Sequence, residues 1–156
     1  MLVQQPFKVV ESRLAGASPL LTTRVASERM SRVRQLGTAP ELLVRRVVSS
    51  FGNRYTIKNK DLPGSPDIAN RSKRWVIFVH GCYWHHHASC RRATVPKSNA
   101  DFWLAKFAAN RHRDAEAAKA LRKQGFVVYT LWECACKSRE VIVGSLKPLC
   151  TRMSGD

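Results

Sequence analysis

The run "WVIFVHG" at residues 75–81 constrains the fold more than any other stretch, because its first five residues are apolar without a break and polar residues bound it. Alternation would mark a strand with one wet face, whereas a short unbroken apolar run is what a strand covered on both faces looks like. A second run, "FVVYTLWE" at 126–133, has the same character. Between them "SNAD" (98–101) reads as a capping box, and Leu104, Phe107, Ala108, Ala115, Ala118 and Leu121 recur at helical spacing up to Gly125. That pattern predicts one long helix. Upstream, "TAPE" (38–41) is a capping box that opens a helix with one apolar and one basic face, stopped at Gly52. "RYTIK" (54–58) alternates like a short strand, "LPGSPD" (62–67) is a turn that delivers Asp67 to a strand start, and "SREVIVGSL" (138–146) predicts a closing helix. Helix, strands, long helix, strand, helix is the order of a three-layer α/β/α sandwich around a central mixed sheet. No internal repeat is evident.

A chain of 156 residues holds one domain with a real core. Its 27 Lys+Arg against 11 Asp+Glu give a formal charge of +16, which attracts polyanions, and nucleic acid is the leading partner. A merely solvated cationic face, or adhesion to anionic lipid, is less well supported. No apolar run approaches the roughly eighteen residues a membrane span requires. Residues 1–29 show no sustained period and carry only +2 of the surplus: Lys8, Arg13, Arg24 and Arg29 against Glu11 and Glu28. They are expected to be a poorly ordered extension, with the domain over 30–150 and a tail at 151–156. They lack the apolar segment of a secretory signal, despite a faint transit-peptide flavour in their Arg and Ser content, so an intracellular protein is expected.

The first apolar run ends in "HGCYWHHHASC" (80–90), with four histidines, two cysteines and two adjacent large rings. Cys82, His87 and Cys90 give C-x4-H-x2-C, and Cys134 could supply a fourth ligand if the two strands are neighbours. Thiolates with imidazole are a zinc preference, and four protein ligands make a closed, structural site. The five cysteines, an odd number, suit ligation better than a disulfide framework. Buried free cysteines beside surface histidines are the rival explanation, stronger for any one residue than for the group. A closed zinc site cannot hydrolyse anything, so chemistry falls to Asp67, His80, His85 and Glu41. A carboxylate at a strand start is where many nucleases hold Mg²⁺, and an imidazole that titrates near neutrality suits proton transfer. Asp67 by itself reads as a turn-forming Asx residue, and Trp103, on a helix, reads as core. Tyr83 and Trp84 stand at a strand's exit, where rings can be pushed between bases.

"MSR" (30–32), "PELLVRR" (40–46), "DLPGSPDI" (61–68), "VIFVHGCYWHHH" (76–87), "VPKSNADFW" (95–103) and "LWECA" (131–135) together resemble the very short patch repair endonucleases, the Vsr family of DNA mismatch endonucleases. The segments run in family order and cover nearly everything after residue 30. The resemblance implies a restriction-endonuclease-like fold and nicking of one strand of duplex DNA 5′ to the thymine of a T:G mismatch, as arises when 5-methylcytosine deaminates. It also implies roles: Asp67 and the Val79 carbonyl for Mg²⁺, His85 for proton transfer, Glu41 toward metal-bound water, and His80 in support. Cys82, His87, Cys90 and Cys134 match the zinc ligands, and Tyr83, Trp84 and Trp103 the intercalating aromatics. Tyr83 stands where the family usually has phenylalanine, and Val79 where threonine is familiar. The spacing from the last histidine to Cys90 is one residue longer than usual, which leaves His86 and His87 as rival ligands.

A bacterial, cytoplasmic, nucleoid-associated monomer is expected on that resemblance, acting on double-stranded DNA with a T:G mismatch and with an accessory repair protein as a further partner. Two rivals remain: a restriction-type endonuclease without mismatch specificity, and a noncatalytic zinc-stapled nucleic-acid-binding module.

Overall fold

The computed structural model describes residues 37–151, so the expectations for residues 1–29 and for the tail beyond Thr151 lie outside the described residues. The first helix among the described residues, α1 (Ala39–Ser50), begins where the capping box places it. Thr38 is extended, its hydroxyl accepts from the Glu41 N–H at 3.4 Å, and the Glu41 carboxylate reaches back to the Thr38 hydroxyl and the Gly37 N–H, both at 2.9 Å. Such a cap is worth about 1 kcal/mol.

Three strands follow: β1 (Ile68–Asn70), β2 (Trp75–His80) and β3 (Val127–Trp132), in the spatial order β1-β2-β3. β1 and β2 are antiparallel, so a short turn joins them, whereas β2 and β3 are parallel and need a crossover. The helix α2 (Ala100–Lys123) supplies it, and α3 (Arg139–Ser145) and α4 (Lys147–Thr151) close the described chain.

Strand alternation sends side chains to opposite faces, and each face is covered. Ile68, Trp75, Ile77 and Leu131 pack with Val44, Val47 and Val48 of α1, with Ile142 of α3, and with Leu146 and Leu149. Ala69, Val76 and Phe78 pack on the other face with Leu121, near the end of α2, and Phe126, just before β3. The result is an α/β fold in which a small mixed sheet lies between helices. None of the helices among the described residues is long and apolar enough to cross a membrane.

Three local expectations are corrected. "RYTIK" makes only a single bridge, Thr56 to Ala69. Positive φ at Lys58 ends the extended stretch, and the Thr56 hydroxyl turns to the Asn59 side chain at 2.6 Å. "SNAD" does not cap α2 by a side chain: Asn99 takes the N-cap position in a left-handed conformation, not the extended one from which capping side chains reach the helix N–H groups. β3, expected to be buried, is only half buried, with Thr130 exposed.

Candidate active site and metal cluster

Asp67 immediately precedes β1, and the turn before it is fixed from two sides. Gly64 has φ of +72°, and a Cβ there would lie 2.6 Å from the Ala117 Cβ of α2, so the turn rests directly on the helix. Asn59, buried, donates to the Pro66 carbonyl at 2.9 Å. Asp67 is thereby held against β2, where its Oδ2 accepts from the Val79 N–H at 2.7 Å. Burial pushes the Asp67 carboxyl up to about 6 and the nearby Glu41 charge adds to this, while the Val79 N–H and the Arg45 charge pull the other way. Glu41, only 4 % exposed, also receives Arg45 at 3.2 Å.

His80 follows Val79 at the end of β2. After it the chain folds into one tight turn, with His85 N–H on the Gly81 carbonyl at 3.2 Å and His87 N–H on the Cys82 carbonyl at 3.0 Å. This brings the His85 ring back over His80, 4.2 Å between centroids and 2° between planes. Lone pairs of stacked imidazoles run parallel instead of converging, so the pair is poorly disposed to chelate one ion. The third neighbour is Asp114 of α2, whose Oδ2 lies 2.5 Å from His85 Nδ1. Burial would raise the Asp114 carboxyl, but the His85 bond and the charges of His85, His80 and Arg113 hold it below its ordinary value. Burial, then the adjacent His85, pushes His80 down to about 4, against the opposing pull of Asp114, so His80 is neutral at pH 7.

On the other side of the turn, Cys82, His87, Cys90 and Cys134 bring their ligand atoms within 4.8 Å of one another. His87 Nδ1 lies 3.7 Å from Cys82 Sγ and 3.4 Å from Cys134 Sγ, and the Cys134 N–H points at Cys82 Sγ at 3.3 Å. Parallel pairing of β2 with β3 is what brings Cys134 here. His86 goes elsewhere: positive φ turns its ring onto Phe107, 5.1 Å away and 15° from parallel. Burial pushes the Cys82 thiol up to about 12, whereas the Arg92 backbone N–H draws Cys90 below its ordinary value. Glu133 braces this corner, accepting from the Cys82 N–H at 3.3 Å and from Arg92 at 2.7 Å. This cluster could hold a metal ion.

Tyr83, Trp84 and Trp103 are brought together, half-buried. Tyr83 meets Trp84 edge-on at 5.2 Å and Trp103 at 5.8 Å, over the buried ring of Phe107 at 5.5 Å. Gly81 gives Trp84 room, since a Cβ there would lie 3.1 Å from the indole, and Asn110 donates to the Trp84 carbonyl at 2.8 Å.

Every site residue expected from the sequence therefore falls in one of these groups around the ends of β2 and β3. Two neighbours were missed. Asp114 carries no local signal beyond being a carboxylate on a helix. Trp132 stacks on His87 at 4.0 Å and meets His80 edge-on at 5.5 Å, standing between cluster and imidazole pair; within "LWECA" it reads only as an apolar strand residue.

Comparison with known proteins adds an independent line. The family model for the DNA mismatch endonuclease Vsr matches residues 19–92. A type II nicking enzyme of Xanthomonas oryzae pv. oryzae is 45% identical over 118 residues, covering 73% of this chain and 86% of that protein. One from Neisseria meningitidis is 39% identical over 122 residues, covering 78% and 86%. The DNA mismatch endonuclease Vsr of Escherichia coli is 36% identical over 114 residues, covering 73% and 72%.

Proposed function

The chain belongs to the Vsr family and is a DNA endonuclease, and from that premise we propose that it nicks one strand of duplex DNA 5′ to the thymine of a T:G mismatch, by Mg²⁺-dependent hydrolysis within a restriction-endonuclease-like fold. The observation that carries the reading is the junction at the end of β2. There Asp67 is anchored on the Val79 N–H, and the next residue, His80, is covered by the His85 ring, which is itself tied to Asp114.

A carboxyl held near 6 by burial and by Glu41 is an acidic oxygen donor whose charge a divalent cation would stabilise, so the donor chemistry fits Mg²⁺. Asp67 and the Val79 carbonyl would hold it, with Glu41 behind them. Bound there, the ion supplies Lewis acidity toward the phosphate. Asp114 fixes a proton on His85 Nδ1 and leaves Nε2 to accept one from the attacking water. His80, neutral at pH 7, limits the tilt of the His85 ring by stacking. Departure of the 3′ oxygen, which takes up a proton from solvent water, leaves a 5′-phosphate and a 3′-hydroxyl.

The three sulfurs and one nitrogen fit Zn²⁺ as donor set. Bond lengths of roughly 2.3 Å to sulfur and 2.0–2.1 Å to nitrogen in a tetrahedron separate N from S by about 3.6 Å. The observed separations are 3.7 and 3.4 Å. Bound there, the ion staples the turn to the end of β3, and Cys82, His87, Cys90 and Cys134 use up its coordination. Tyr83, Trp84 and Trp103 offer a wedge whose insertion costs a few kcal/mol of unstacking, less at a mispair.

The test is a nicking assay on otherwise identical T:G, T:A and C:G duplexes, with Mg²⁺ or a chelator. Nicking confined to T:G and abolished by chelation is expected. Equal rates on matched DNA would remove the mismatch specificity, and nicking that survives chelation would remove the metal.

A further inference from the structure

Beside the imidazole pair lies a recess of about 300 Å³, lined by His80, His85, Arg111, Asp114, Arg122 and Trp132 together with small and apolar neighbours. Its helical wall is a regular stripe of α2: residues 111, 114, 115, 118 and 122 follow one another at three- and four-residue steps and so lie on one face. Ala115 and Ala118 keep the middle of that stripe low. Arg111 and Arg122 stand at its two ends, roughly 16 Å apart along the axis at 1.5 Å per residue.

Both arginines are exposed, and neither guanidinium has a hydrogen-bond or ion-pair partner among the described residues. The basic neighbour Arg113, by contrast, donates to Asn110, and Asp114, the acidic residue of the lining, is engaged by His85. Two uncommitted planar donors therefore face a hollow that opens beside the reacting groups. Guanidinium forks match phosphate oxygens two at a time, and an apolar floor of alanines lets a backbone approach closely.

We propose that this recess is a second phosphate site, which takes backbone phosphate of the nicked strand flanking the scissile one, with Arg111 and Arg122 as its donors. The inference rests on the endonuclease reading above. Its role is positioning: the strand is gripped beside the reaction centre, which lowers KM and leaves the chemical step to Asp67 and His85.

The experiment uses the full chain and a T:G duplex, comparing Arg111→Gln and Arg122→Gln with Lys73→Gln, an exposed residue in the turn at the far end of β2. Each arginine variant is expected to raise KM about tenfold, as removal of a charge-assisted hydrogen bond does, with kcat within about twofold. The plot of log Kd against log salt should become shallower by about 0.9 for each phosphate that is no longer neutralised. Neutral methylphosphonates placed singly around the nick should weaken binding of the unaltered protein at a position where the arginine variants no longer respond. Arginine variants indistinguishable from Lys73→Gln, in KM and salt slope alike, would overturn the assignment. Should the unaltered protein nick no duplex, the endonuclease reading fails on its own, and the salt slopes still decide whether the recess holds phosphate.

Discussion

Two histidine groups flank Trp132, a few residues apart in the chain, and they are built for opposite ends. His87 lies among three thiols, where its nitrogen is 3.4 and 3.7 Å from sulfur, while His85 lies against a carboxylate and a second imidazole. On the proposed function, the same side chain would be a ligand in the first setting and a proton carrier in the second. Soft donors converging on a point make a metal site, whereas a carboxylate on one ring nitrogen orients the other for proton transfer. One turn from Gly81 to Cys90 delivers both, so an ion that rigidifies the first group also holds the second.

The contrast breaks most sharply at Asp67. Asp67→Asn is expected to lower nicking by about a thousandfold or more, the several kcal/mol of charge stabilisation a catalytic ion supplies, while DNA binding persists. Its folded-state carboxyl sits near 6, above the ordinary 3.8, so it favours the fold fully below about pH 4, and that contribution is lost as pH rises through 6. Metal-free Asp67→Asn should accordingly melt higher than the parent above pH 6, by about 1–3 kcal/mol after allowance for partial exposure, and show no such gain at pH 4. Denaturant melts at the two pH values check this. In the parent, the Mg²⁺ concentration needed for nicking should rise below about pH 6, where a proton competes with the ion for the carboxyl.

Exchanging the two histidines sharpens the comparison next. His85→Ala should lower kcat by about 10²–10⁴ and leave the metal content nearly unchanged. His87→Ala should lower metal content and stability together, because binding to a site that exists only in the folded chain is folding free energy. Metal analysis and calorimetry on the pair separate the roles, and loss of bound metal in His85→Ala would merge them.

A smaller effect is expected at Asp114. Asp114→Asn keeps the shape but weakens the hold on His85 Nδ1, and should cost about 10- to 100-fold in kcat with KM unchanged. An unchanged kcat would reduce Asp114 to packing.

Sequence reading located α1, β2, α2 and α3 because each is announced locally, by a capping box, an unbroken apolar run or a helical spacing. It failed at "RYTIK", where alternation was real but the Thr56 hydroxyl found Asn59, and at "SNAD", where a left-handed Asn99 removed the capping geometry. Asp67 was legible as a candidate because it stands at a strand start, Cys82 and Cys90 because of their ligand-like spacing with His87, and His85 because it lies in the histidine-rich loop after the first buried run. The choice between His86 and His87 was not, since it turns on the positive φ that sends His86 to Phe107.

The amino-acid order alone determined most of the secondary elements, the basic surplus and the inventory of donors beside the first buried run, all of which depend on neighbours in the chain. Tertiary structure decided the partnerships: Cys134 with Cys82 through parallel pairing, and Asp114 with His85 through the crossover helix. Strand pairing and helix packing bring together residues that are tens of positions apart. Periodicity says which way a side chain faces, and only packing says what it meets.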